Sequence, residues 1–108
     1  MTLRRICVDF GADITTSEMC MANNLVKGQV SEWALLRRHP SEKCFGVQLA
    51  GGFINDLSYA AELIRRETDV DFVDLNCGCP VDAITRVFFL LSEVILGWRW
   101  LRSSEKGD

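Results

Sequence analysis

The chain has 108 residues, 48% of them hydrophobic and 25% charged, with a formal net charge of −3. That balance describes a globular domain and excludes a disordered chain. It also argues against a strongly basic nucleic-acid module, leaving room only for a local basic groove. Five cysteines at positions 7, 20, 44, 77 and 79, odd in number and irregular in spacing, do not make a secreted disulfide framework. The opening MTLRRICVDFGAD lacks an apolar core of signal length. The expectation is no signal peptide and a reducing, intracellular setting, cytoplasmic, nuclear or both. There is no C-x2-C pair and His39 is the single histidine, so no zinc site is expected.

In chain order, Leu3, Ile6, Cys7 and Phe10 fall at i, i+3, i+4 and i+7, one apolar helix face, with Gly11 as its stop. ADITTSEM (12–19) contains a short β-type stretch. Ser31 is placed to cap a short helix through SEWALLRR, which Pro40 breaks. FGVQLAGG (45–52) reads as a buried strand ending in glycines. Leu57, Ala60, Ala61 and Ile64 repeat the helical spacing, with Asn55 or Asp56 as cap and Arg65 and Arg66 at the carboxyl end. DFVDLN (71–76) is the next strand. Strand, helix and strand over 45–76 have the length of a βαβ unit, so the two strands run parallel. The whole order, α-β-α-β-α-β, predicts a parallel sheet covered by helices.

The segment AITRVFFLLSEVILGWRWL (83–101) is different. Ile84, Val87, Phe88, Leu91, Ile95 and Trp98 make a helical stripe, and further apolar residues lie off it. An apolar helix is expected there, buried deeply or in a membrane. Its uninterrupted apolar run, Val87 to Leu91, falls well short of the roughly 20 residues of a bilayer span, so no transmembrane span is expected. SSEKGD (103–108) is a polar end.

In parallel α/β folds chemistry sits at the carboxyl ends of the strands. Here those loops are TSEM, QLAGG and NCGCP. In the last, Gly78 permits an unusual backbone angle and Pro80 fixes the angle that follows, so Cys79 is aimed from a strand end. An ordinary cysteine titrates near pH 8.5 and is mostly the neutral thiol at pH 7. As such it can donate a proton as a general acid; beside a positive charge it would be a nucleophile. The plainer alternative is a small hydrophobe filling a turn.

Strand alternation predicts that Cys77 is packed. Cys7, Cys20 and Cys44 read as core or loop fillers. Gln48 and Asn76 are amides at or near strand ends, there either to bond neighbouring backbone or to read the edge of a flat heterocycle. Glu18 is a further candidate in the TSEM loop. The pairs Arg4–Arg5, Arg37–Arg38 and Arg65–Arg66 read as solvated helix faces, with a contribution to RNA backbone binding only weakly signalled.

RRICVDFGADITTSEM, GQVSEWALLRRH, FGVQLAG and DFVDLNCGCPVD together resemble the tRNA-dihydrouridine synthases. The likeness is strongest to the eukaryotic type-3 branch, which acts on the variable loop, and it runs from about Leu3 to Asp82. The resemblance implies a (β/α)8 TIM barrel holding FMN at the carboxyl ends of its strands. It further implies reduction of a tRNA uridine to 5,6-dihydrouridine, with NADPH recharging the flavin. By the same resemblance Cys79 is the proton donor, and Gln48 and Asn76 are cofactor-binding. A tRNA partner and no DNA partner follow.

Residues 1–82 are then expected to form an N-terminal piece of that barrel, with about three parallel strands, and 83–108 a divergent tail. The whole barrel needs about 250 residues. Two further readings remain: a non-catalytic piece whose tail, with Trp98, Arg99, Trp100 and Arg102, binds a protein or membrane surface, and a small thiol-redox protein using Cys77 and Cys79. The last lacks the usual C-x-x-C spacing.

Overall fold

The computed structural model describes residues 1–79. The apolar helix expected over 83–101 and the tail at 83–108 lie outside the described residues. The elements are α1 (Thr2–Asp9), β1 (Ile14–Thr16), β2 (Cys20–Met21), α2 (Ala22–Val26), α3 (Val30–Leu35), β3 (Cys44–Ala50), α4 (Ile54–Glu67) and β4 (Phe72–Leu75). All strand pairs are parallel, as the βαβ spacing requires. β3 is central. Its amino half pairs with β1 and its carboxyl half with β2 on one side, and β4 lines the other side. β1 and β2 thus act as one interrupted edge strand, which reconciles four strands with the expected three.

The interruption has a chemical solution. Where the chain leaves the ladder between β1 and β2, the Ser17 N–H donates to the Gly46 carbonyl at 2.9 Å. The Gln48 N–H, left without a main-chain acceptor there, donates to Ser17 Oγ at 3.0 Å, and that hydroxyl donates to the Glu18 carbonyl. A buried N–H without an acceptor would be costly.

Alternate residues of β3 face opposite ways. Phe45, Val47 and Leu49 join Cys20, Leu25, Leu36, Ala60 and Ile64 in one core, which places the helices on that face. Gly46, Gln48 and Ala50 face the other way. Phe72, in register with Gly46, covers it so closely that a Cβ there would lie 2.2 Å from the ring. Among the described residues no helix covers this second face.

Several expectations are corrected. α1 forms and stops at Gly11, whose φ of 96° only glycine adopts readily. Its apolar stripe, however, is turned outward: Leu3 is 72% and Phe10 90% exposed, and Cys7 is exposed too. Arg4 is the buried residue of the helix. Ser31 does not cap α3, which starts at Val30 after Gln29. Neither Asn55 nor Asp56 caps α4, because the chain turns into the helix directly from Phe53. Asp56 lies instead in the first turn, where its charge meets the positive end of the helix dipole. Cys77 is exposed, because strand geometry ends at Leu75 and alternation ends with it.

Arg4 docks α1 by charge rather than by apolar burial. Its Nε donates to Glu42 at 2.7 Å, another guanidinium nitrogen donates to the Arg37 carbonyl at 2.7 Å, and the group lies 4.5 Å over the Phe45 ring. Thr15 Oγ and the His39 N–H also donate to Glu42. A second clamp closes the βαβ unit. Asp71 accepts from the Phe45 N–H at 2.8 Å and pairs with Arg38 at 3.1 Å, while Arg38 donates to the carbonyls of Glu42 and Lys43. Both clamps lie at the amino ends of the strands. Arg4 and Arg38 are therefore structural, whereas Arg65 and Arg66 form exposed pairs with Glu62 and Glu67 on a solvated helix face, as expected.

Candidate active site

The site grows from the carboxyl ends of β3 and β4. The Asn76 N–H continues the ladder by donating to the Leu49 carbonyl at 2.9 Å. That leaves the Asn76 side chain on the same face as Gln48, since Gln48 and Asp74 are in register and Asn76 is two residues on. The chain then leaves the sheet in an Asx turn. Asn76 Oδ1 accepts from the Gly78 N–H and the Cys79 N–H, each at 3.0 Å. Asn76 Nδ2 donates to Gln48 Oε1 at 3.1 Å. Gln48, Asn76 and Cys79 thus form one connected unit, although 31 positions separate the first from the last.

The arrangement is half-open. Gln48, Asn76 and Cys79 are all partly exposed, and the Cys77 thiol, outside the unit, donates to the Leu75 carbonyl at 3.4 Å. Each of the other candidates lies elsewhere. Glu18 turns its carboxylate to Arg4 and the amino terminus, at 3.5 and 3.7 Å, and does not join the cluster. Cys20 is fully buried, and burial, reinforced by the nearby Glu32 carboxylate, pushes its thiol up to about 12. It stays a neutral core residue, as expected. Among the described residues no cluster could hold a metal ion. A cavity of about 770 Å³, lined in part by Trp33, Leu36, His39 and Thr68, opens at the amino ends of the strands, away from these groups.

Sequence reasoning missed Ser17, which anchors the loop before β2 to the backbone of Gln48. Its signal was a hydroxyl immediately after a short β run, a position where side-chain oxygens commonly replace ladder acceptors. It also missed the polar contact between Asn76 and Gln48, which no spacing rule could have supplied.

A parallel α/β sheet with an amide-organised cysteine loop at the carboxyl ends of its strands defines the class: an α/β protein whose polar and thiol side chains gather at that end. Residues 1–89 match the family described as Dihydrouridine synthase (Dus), and the chain belongs to that family. It is 57% identical over 84 residues to the rat (Rattus norvegicus) protein named tRNA-dihydrouridine(47) synthase [NAD(P)(+)]-like, covering 78% of this chain and 13% of that protein. The human (Homo sapiens) protein of the same name is 54% identical over the same span. The Cryptococcus neoformans tRNA-dihydrouridine(47) synthase [NAD(P)(+)] is 56% identical over 88 residues, 12% of its length. The chain spans about one eighth of the length of the curated relatives it matches.

Proposed function

We propose that this chain carries the proton-donor portion of a tRNA-dihydrouridine synthase site, in which a uridine of tRNA becomes 5,6-dihydrouridine. On this reading residues 1–82 are part of a (β/α)8 barrel, the open face of the sheet belongs to its interior, and the protein acts inside the cell, where tRNA is found. The observation that carries it is the bonded unit of Gln48, Asn76 and Cys79 at the carboxyl ends of β3 and β4. Membership of the family supports reading that unit as chemically active.

Reduced FMN would be held against Gln48 and Asn76 and, when bound, would supply the hydride, with NADPH reducing the flavin again. The residues present fit such a group. Gln48 offers amide N–H donors on an uncovered face, and the edge of an oxidised isoalloxazine carries carbonyl oxygens and unprotonated ring nitrogens that accept. The role of Cys79 follows from the atom balance. Saturating the C5=C6 bond of uracil needs one hydride on one carbon and one proton on its neighbour. The Cys79 thiol gives that proton and leaves as thiolate, to be reprotonated from water. The base must be presented out of its stack to reach a thiol at this position.

The test is a chimaera. Residues 1–79 of this chain replace the matching segment of the rat relative, and dihydrouridine in unmodified tRNA is read by mass. The chimaera is expected to act, and Cys79→Ser in it to reduce the rate about 10²–10⁴-fold, the usual worth of a positioned acid. A chimaera that works equally well without the thiol overturns the assignment.

A further inference from the structure

The bonds between Asn76 and Gln48 admit one polarity only. Two main-chain donors, the N–H groups of Gly78 and Cys79, converge on one terminal atom of Asn76. A donor is not met by another donor, so that atom is the oxygen. The other terminal atom is then the nitrogen, and it lies 3.1 Å from a terminal atom of Gln48. An amide nitrogen only donates, so the Gln48 atom facing it is the oxygen. Gln48 therefore turns its own NH2 group away from Asn76. Among the described residues that group meets no acceptor, and Gln48 is half-buried on the face that no helix covers.

We infer that Asn76 is a positioning residue with two jobs: it sets the course of the chain that carries the Cys79 thiol, and it fixes Gln48 as a donor toward the ligand. A ring bound at this face must then turn a carbonyl oxygen or an unprotonated ring nitrogen toward Gln48. A ring that turns an N–H there is rejected, because two donors would be opposed in a partly desolvated place. The inference deepens the flavin reading above and rests on it for the identity of the ring. It also changes the part given to Asn76 by resemblance. Both lone pairs of its oxygen and one of its two N–H groups are engaged within the protein, so its main work is done on Gln48 and Cys79.

The two jobs separate by substitution. Gln48→Ala removes the acceptor of the Asn76 NH2 and leaves the turn intact. Asn76→Asp keeps an acceptor for the Gly78 and Cys79 N–H groups but sets a carboxylate against the Gln48 carbonyl, so Gln48 turns over and donates inward. Asn76→Ala abolishes both. The full 108-residue chain, labelled with ¹⁵N, gives the side-chain amide signals. Alkylation by N-ethylmaleimide, mapped to Cys79 by peptide mass, gives the placement of the thiol.

In Gln48→Ala the Asn76 side-chain amide is expected to move upfield and to exchange with water about fivefold faster, the loss of one modest hydrogen bond. In Asn76→Asp the Gln48 amide protons move downfield and their exchange slows. Cys79 alkylates about fivefold faster in Asn76→Ala and no faster in Asn76→Asp. An Asn76 amide indifferent to Gln48→Ala overturns the inference, as does a Cys79 that reacts alike in both Asn76 variants. FMN titrated into the chimaera with the rat relative, labelled at its glutamine side chains, is expected to shift the Gln48 NH2 signals. If the variants behave as stated and FMN leaves those signals unmoved, the flavin reading falls and the positioning role stands.

Discussion

Gly46 and Phe72 oppose each other across β3 and β4, and the ring occupies the space a side chain at 46 would need. Gly46→Ala is expected to cost about 1–3 kcal/mol, the usual effect of overpacking. Combining it with Phe72→Leu should cost less than the sum of the two single changes, a coupling read from urea unfolding of the four species. Glu42 makes a different case. It is 2% exposed. Burial pushes its carboxyl up, but the hydrogen bonds from Arg4, from the His39 N–H and from Thr15 outweigh that and hold it below the usual carboxylate range. A lowered folded value means stability that is present above the ordinary carboxylate pKa of about 4.3 and is lost as pH falls through the folded value. Melting temperature should therefore fall below about pH 4.3 in the wild type and fall less steeply in Glu42→Gln. At neutral pH Glu42→Gln should cost about 1.5–3 kcal/mol, the worth of a hydrogen bond to a charged group, because Arg4 loses its buried carboxylate partner but keeps the Arg37 carbonyl and Glu18. At this scale the sequence was partly legible. Gln48 and Asn76 stood out as amides in apolar surroundings, whereas Arg4 looked like any helix-surface arginine, since its partner lies 38 positions away.

Elements were easier to read than their orientations. α4 lies where its spacing of Leu57, Ala60, Ala61 and Ile64 put it, with Ala60 and Ile64 fully buried. β3 and β4 are parallel, and the helix between them is the crossover that a parallel pair needs. α1 shows the limit. Its apolar period was correct and its direction was not, because periodicity reports which residues share a face and not which face is docked. An ion pair fixed the docking instead. The two helices thus make opposite predictions. Ile64→Ala should destabilise by about 2–5 kcal/mol, since it empties a position in the core. Phe10→Ser should change stability by no more than about 0.5 kcal/mol, despite removing the larger side chain, because that ring is 90% exposed. Chemical denaturation of the two variants decides it.

For the molecule as a whole, the parallel α/β architecture was visible in the order of its elements, while the interrupted edge strand was not. A break of three residues between β1 and β2 leaves no periodic mark, and the Ser17 hydroxyl that mends it is bonded to a residue 31 positions on. Cys20 gives a measure of global opening. It sits at the centre of the core with its thiol raised to about 12, so it has neither exposure nor thiolate with which to react. Alkylation at Cys20 should be undetectable under native conditions and should rise across the same urea range as the loss of ellipticity. Labelling of Cys20 well before that transition would show the core opening in parts. Cys7 and Cys77, both exposed, should label from the start.

The Asp71 carboxylate has a consequence for how the domain comes apart. It accepts from the Phe45 N–H near the start of β3 while sitting just ahead of β4, and Arg38 grips it from a third segment. The path from Phe45 through α4 and back is therefore closed on itself by a non-covalent latch, much as a purse is closed at its mouth. Chain cleavage inside α4 would leave both halves still tied at that knot. Replacing Asp71 would remove that side-chain tie and leave the main-chain ladder between β3 and β4 to hold the two ends alone.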